Sequence, residues 1–253
     1  MIRVAVSGAA GRMGRMVMEA VAAAEGMDLV AGYDPAGLGG AVAGVAVSPD
    51  RTVVAEADVV VEFTVPDVVV ENIAAWHGMG VSAIVGTSGF DAAKIGQVCS
   101  FWVTGPPNCL VVPNFSIGAV LMMRFAELAA PHFAASEIIE LHHDHKVDAP
   151  SGTALTTAER ITAAGGRQER AVESAESVAG ARGADAATRI HSVRLPGLLA
   201  HQEVIFGSPG ETLTIRHDTL DRVSFMPGVL LAIRSVQDLP DPVTVGIEGL
   251  LGL

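Results

Sequence analysis

Apolar positions in the first half of the chain switch repeatedly between two periods. Residues 2–6 form a short β-branched run that stops at Ser7 and Gly8. Met13, Val17, Ala20, Val21 and Ala24 then recur at spacings of three and four, the period of an amphipathic helix. Residues 29–33 read as a second strand ending at Asp34 and Pro35, and 37–44, rich in glycine, reads as a loop. Residues 58–63 (DVVVEF) predict a third strand, and Pro66 opens a helix to about His77. Two more strands, 81–85 and 109–112, run into Gly86, Thr87, Ser88 and Gly89 and into Pro113, Asn114 and Phe115. A long apolar helix is expected over 117–133. This β-α-β-α order predicts an α/β fold, a doubly wound parallel sheet with helices on both faces and ligands at the carboxyl ends of its strands.

The second half has a different rhythm. Residues 137–142 and 189–195 read as strands, and 151–164 reads as a helix. Residues 203–206 and 212–217 flank Gly207, Ser208, Pro209 and Gly210, a hairpin signal. Residues 165–187 lack apolar periodicity and read as a long loop. Residues 225–236 are helical and apolar, and are expected to pack back on the first sheet. The expected division is a discontinuous first domain, 1–114 with 223–253, and a second α+β domain, 115–222, with a mixed, mostly antiparallel sheet.

Composition narrows the function classes. Half of the 253 residues are hydrophobic and 17% are charged, enough to bury a sizeable core. The formal net charge of −12 repels phosphate backbones, so a nucleic-acid partner is not expected. An anionic substrate would need positive charge gathered locally. Two cysteines, Cys99 and Cys109, are no disulfide framework and read as reduced thiols of a cytoplasmic protein. The longest apolar stretch, 117–123, is far short of the roughly 20 residues that span a membrane, so no membrane partner is expected.

Gly8, Ala9, Ala10, Gly11, Arg12, Met13 and Gly14 lie between the first strand and the first helix. Glycines there permit a tight turn and close approach of a pyrophosphate to the helix N-terminus, as in Rossmann-like domains. The spacing is G-x-x-G-x-x-G rather than G-x-G-x-x-G, and a ligand-free tight turn fits it as well. Asp34, 20 residues after Gly14, tips the balance toward a dinucleotide. A carboxylate there accepts hydrogen bonds from the adenosine ribose and repels a 2′-phosphate, which favours NADH. Arg12 leaves NADPH open.

The densest chemistry is Glu140, His142, His143, His145, Lys146, Asp148, Pro150, Ser151, Gly152 and Thr153. Three histidines and a lysine within five consecutive residues are hard to place in a core. Ser151 suits a helix N-cap, leaving the amides of Gly152 and Thr153 for a carboxylate. Lys146 and His143 suit the same or a second carboxylate, so a small dicarboxylate is the expected partner. One histidine and Lys146 suit proton transfer. A metal site on His142, His143 and His145 is the competing reading. Alternating strand directions and the charge of Lys146 oppose it, so no metal is expected.

At these residues the chain resembles the dihydrodipicolinate reductase (4-hydroxy-tetrahydrodipicolinate reductase) family, whose hallmark resembles E-x-H-H-x-x-K-x-D-A-P-S-G-T-A and stands complete over 140–154. The glycine loop, Phe63 and Thr64, the run from Gly86 to Phe90, and Pro113, Asn114, Phe115 and Ser116 are similar to further family segments in the same order. The resemblance implies that Gly8, Ala9, Ala10, Gly11, Arg12 and Met13 bind the pyrophosphate and adenosine side of the cofactor, and that Asp34 faces the ribose. It implies that Gly86, Thr87, Ser88, Val112, Pro113, Asn114 and Phe115 line the nicotinamide side. His142 is then the acid/base residue and Lys146 the proton donor, with His143, Gly152 and Thr153 holding the substrate carboxylates. The implied product is tetrahydrodipicolinate of lysine and diaminopimelate synthesis, and the implied assembly a homotetramer joined through the second domain's sheets.

Two rivals keep the first domain and change the chemistry. Pro107, Asn108 and Cys109 are similar to the nucleophile context of aspartate-semialdehyde-type dehydrogenases, where a thiolate forms a thioester. A non-enzymatic NADH-sensing protein would need the glycine loop but not Lys146.

Overall fold

The computed structural model describes residues 1–37, 40–167, 175–184 and 188–253. The chain divides into two units, Met1–Ser116 with Phe225–Leu253 and Ile117–Ser224.

In the first unit β1 (Ile2–Ser7), α1 (Arg12–Ala23), β2 (Met27–Tyr33), β3 (Ala41–Val42), β4 (Val45–Ser48), β5 (Val59–Glu62), α2 (Val69–Gly78), β6 (Ser82–Val85), α3 (Ala92–Phe101) and β7 (Cys109–Val111) follow in order. The strand order is β12-β7-β6-β5-β1-β2-β4-β3, with β12 formed by Val243–Val245 near the chain end. All pairings are parallel except β3 with β4. The chain winds outward from β1 to β2, then returns to β5 on the other side, so the order reverses between β1 and β5. Right-handed crossovers in opposite directions put helices on opposite faces. Accordingly α1 packs beside α6 (Met226–Ser235), and α2 beside α3. All four residues of β5 are buried, as a strand covered on both faces requires.

The second unit holds α4 (Ile117–Ala129), β8 (Ala135–His142), α5 (Gly152–Ala163), β9 (Arg189–Arg194), β10 (Ala200–Ser208) and β11 (Glu211–Thr219). Its sheet runs β11-β10-β8-β9; β8 pairs parallel with β9, and the other two pairings are antiparallel. The register Ser208 opposite Glu211 leaves Pro209 and Gly210 as a two-residue turn. Ile138, Ile161, Ile190, Val204 and Phe206 fill its core. The expected fold class, a Rossmann-like doubly wound sheet plus an α+β unit with a mostly antiparallel sheet, is the observed one.

Several element boundaries differ from expectation. The glycine-rich stretch 37–44 contains β3, which forms a hairpin with β4 through Ala43 and Gly44, both at positive φ. A two-residue strand is too short to show a period. Pro66 does not open α2, which starts three residues later, because a turn closed by Val68 N–H on Val65 O intervenes. The long helix over 117–133 stops at Ala129, and a 3-10 turn containing Pro131 follows. Much of the loop expected over 165–187 lies outside the described residues, at 168–174 and 185–187.

Candidate functional site

The turn after β1 is pinned by its neighbours. Tyr33 O, at the end of β2, accepts from Gly8 N (2.9 Å) and Ala9 N (3.1 Å). Gly8 has φ +81°, and a Cβ there would sit 2.5 Å from Phe63 O, so only glycine fits this crossing beside β5. Asp34 bonds the turn directly: its Oδ2 accepts from Ala10 N (3.0 Å) and its Oδ1 from Ala36 N (3.0 Å). The helix that follows breaks a rule. Gly11 at its N-cap provides no side-chain cap, no acid stands in its first turn, and Arg12 and Arg15 do. Cations at the positive end of a helix are unfavourable on their own and favourable around a bound anion. Arg15 Nε donates to Ala10 O (3.1 Å), Arg12 and Gly11 are exposed, and Met13 is half-buried. A tight glycine turn, an uncapped helix start and two guanidinium groups fit a dinucleotide pyrophosphate.

The ends of β5, β6 and β7 supply a second cluster in the same unit. The rings of Phe63 and Phe115 lie 5.5 Å apart, and Gly86 fills the space beside them: a Cβ there would come within 2.4 Å of one ring and 2.6 Å of the other. Val112 N donates to Val85 O (2.8 Å), and Asn114 Oδ1 accepts from Ser116 N (2.9 Å), which fixes the course of 112–116. Thr87 is buried, whereas Ser88 and Pro113 are exposed. Glu62 was not anticipated. It is a fully buried carboxylate at the tip of β5 that accepts from Thr64 Oγ1, Asn72 Nδ2 (3.2 Å) and Trp76 Nε1 (2.9 Å). The lone acid in the otherwise apolar run 59–63 was the available signal.

In the second unit Glu140 organises the basic cluster. Residues 140 and 142 share one face of β8 by the two-residue period. Glu140 Oε2 accepts from His142 Nδ1 (2.5 Å) and Arg194 Nη1 (2.9 Å), and its Oε1 from Arg194 Nη2 (2.8 Å) and Ser151 N (3.3 Å). Burial pushes the Glu140 pKa up, but the hydrogen bonds from His142 and Arg194 outweigh it and hold the value at about 2. The end of β8 and the start of α5 therefore meet at one carboxylate. Ser151 is the N-cap of α5, its Oγ accepting from Ala154 N (3.2 Å); Gly152 is exposed and Thr153 half-exposed. Lys146 Nζ rests on both oxygens of Asp148 (2.8 Å each), and the Asp148 pKa is lowered chiefly by that bond. Arg194 Nη2 also donates to Asp148 O (2.6 Å), which ties the loop bearing Lys146 to β9. His143 Nδ1 is buried without a hydrogen-bond partner. Burial first, and the charge of Arg222 second, lower the His143 pKa. Arg194 was missed in the sequence because its partner is 54 residues away.

Two rival chemistries find little in this geometry. Cys109 is the buried first residue of β7, and burial pushes its thiol up to about 12, so it is no ready thiolate nucleophile. Of the three histidines, His142 gives Nδ1 to Glu140, while the side chain of His145 is 87% exposed. Among the described residues no group of three His, Cys, Asp or Glu is arranged to hold a metal ion.

Comparison with known proteins assigns both units to one family. The family models for the N-terminal and C-terminal parts of dihydrodipicolinate reductase match residues 2–115 and 118–251. A 4-hydroxy-tetrahydrodipicolinate reductase of Cutibacterium acnes is 52% identical, and one of Thermobifida fusca 51%, each over the whole of both chains. A solved dipicolinate-bound dihydrodipicolinate reductase from Paenisporosarcina sp. TG-14 is 38% identical with a TM-score of 0.83, covering 98% of this chain and 99% of that one. With its glycine turn, its Glu140-centred basic cluster and relatives alike from end to end, the chain belongs to the dihydrodipicolinate reductase family.

Proposed function

We propose that this chain is an NAD(P)H-dependent reductase of lysine and diaminopimelate synthesis. It takes 4-hydroxy-tetrahydrodipicolinate, which loses its hydroxyl as water, and reduces the resulting dihydrodipicolinate to tetrahydrodipicolinate. One observation carries the reading: relatives half-identical over the full length bear this activity's name. The bound dinucleotide supplies a hydride to the ring carbon that carried the hydroxyl. The protein's residues supply the rest. Gly8, Ala9, Ala10, Gly11, Arg12 and Met13 hold the pyrophosphate and adenosine side at the positive end of α1. Gly86, Thr87, Ser88, Val112, Pro113, Asn114 and Phe115 hold the nicotinamide side. Gly152 and Thr153, at the positive end of α5, and His143 hold the two carboxylates. Lys146 exchanges Asp148 for the substrate and delivers the proton to the neighbouring ring carbon. His142 serves as acid/base at Nε2, the ring nitrogen turned away from Glu140.

Asp34, half-buried beside the turn, supports NADH as the better cofactor, since a 2′-phosphate would meet its carboxylate. Relative kcat/KM values for the two dinucleotides check this; a clear advantage for NADPH overturns it. The free thiols of Cys99 and Cys109 support a cytoplasmic location. The family supports a homotetramer. The deciding assay generates the substrate in situ from pyruvate and aspartate semialdehyde with a condensing enzyme, and follows NADH absorbance. Oxidation that needs both precursors is the expected result. Intact NADH binding without turnover would return the NADH-sensing reading.

A further inference from the structure

We infer that Glu140 and Arg194 are positioning residues that keep the proton of neutral His142 on Nδ1 and so leave the Nε2 lone pair toward the substrate. The inference rests on the acid/base reading of His142 and adds what sets that residue's protonation geometry. Glu140 has no exposed surface, and its two oxygens meet four donors: His142 Nδ1, two nitrogens of Arg194 and Ser151 N. An ionised carboxylate only accepts hydrogen bonds, so the imidazole nitrogen facing it must carry the hydrogen. The fork of Arg194 explains why the acid stays ionised while buried. A bidentate guanidinium compensates the charge that water would otherwise solvate. Arg194 stands directly opposite His142 in the parallel pairing of β8 with β9, so the sheet register itself delivers the guanidinium to the carboxylate. The same guanidinium donates to Asp148 O, and the same carboxylate accepts from Ser151 N. One ion pair therefore sets the ring of His142, the loop of Lys146 and the first turn of α5 together. An acid–histidine pair that fixes a tautomer is a general device of acid/base catalysis.

Glu140→Gln tests it with little change of shape. An amide offers one oxygen and one NH2 group in place of two oxygens. With the oxygen kept by Arg194 Nη2 and Ser151 N, the NH2 faces Arg194 Nη1 and His142 Nδ1; the guanidinium cannot accept, so the imidazole nitrogen must, and the hydrogen moves to Nε2. Histidine 15N spectra of the full-length protein, with His142 assigned by its loss in His142→Ala, read this directly. Wild type should show hydrogen on Nδ1, and Glu140→Gln on Nε2, with kcat lower by about 100-fold or more and KM for NADH changed by less than about twofold. Hydrogen on Nε2 in the wild type, or a kcat for Glu140→Gln within about threefold of wild type, overturns the inference. Should Glu140→Gln fail to fold, Arg194→Lys takes its place. It keeps a charge but loses the fork, and should lower kcat about tenfold or more with the wild-type tautomer retained. An unchanged kcat there, too, overturns the inference. His142→Ala separates the two claims: turnover retained in that variant sinks the acid/base reading itself. Turnover lost there, beside a fully active Glu140→Gln, sinks only the positioning role.

Discussion

Lys146 and Glu62 show how differently two charged side chains can be placed in one chain. The Lys146 ammonium bonds Asp148, two residues away, a partner whose side chain is mostly exposed. Such a pair contributes little stability and leaves the ammonium group available to a competing carboxylate. Lys146→Ala should therefore cut turnover by about 10²–10⁴-fold, the range for a general acid. NADH affinity, read by fluorescence titration, should stay within about twofold. Near-normal turnover removes Lys146 from the chemistry. Glu62 is the opposite case. It is fully buried, and Asn72 Nδ2 and Trp76 Nε1 donate to it from α2. Glu62→Ala leaves those donors buried without this acceptor and should cost about 2–4 kcal/mol of stability. Urea midpoints at constant slope measure that loss. A change below about 0.5 kcal/mol shows that the network carries no stability.

At the scale of elements, the start of α5 is where local structure and chemistry coincide. Ser151 caps the helix through Ala154 N, and Glu140 receives the Ser151 amide, so the positive helix end is held against β8. Ser151→Ala should cost about 1 kcal/mol and lower Tm by about 2–4 °C. KM for the dicarboxylate should rise more than kcat falls, because the helix end binds ground state and transition state alike. A kcat loss with constant KM would contradict carboxylate binding there. Elements of this kind were legible in the sequence because they carry an apolar pattern or a cap: β1, α1 and β5 have the pattern, and α5 has Ser151 as well. Those that were not lack such signals. The strand β12 has only three residues, and α3 buries only Val98, so it shows no apolar stripe although Asp91 caps it. The candidate site divides in the same way. His142, His143 and Lys146 stand out because they crowd together in sequence. The bond between Glu140 and Arg194 was invisible, since it depends on β8 pairing with β9 across 54 residues. The Asp34 carboxylate was expected to face a ribose; in the structure it bonds Ala10 N, a contact no spacing rule announces.

The whole molecule carries a formal charge of −12 yet has a sheet edge that invites company. The strand β11 lies at the edge of the second unit's sheet, is nine residues long, and is exposed along most of its length. Long edge strands in monomers are normally blunted by bulges, proline or inward charge. Here Thr212, Leu213 and Thr214 stand in sequence on its first half, Leu213 being 38% exposed, while Arg216 and Asp218 charge its second half. Like-charged copies repel through the aqueous phase, and at about 0.15 M salt that repulsion is screened beyond about 8 Å. Buried apolar contact and strand-edge hydrogen bonds then decide the outcome. The proposed homotetramer follows this logic, with the second unit's sheet as the joining surface. Sedimentation at physiological salt should give a mass four times that of the chain. Leu213→Lys, which adds a charge without touching Glu140, His142 or Lys146, should shift the distribution to smaller species. Lowering the salt should weaken the wild-type assembly as well, since repulsion then reaches further. A wild-type chain that sediments as a monomer at micromolar concentration and physiological salt would remove the sheet edge from any role in assembly.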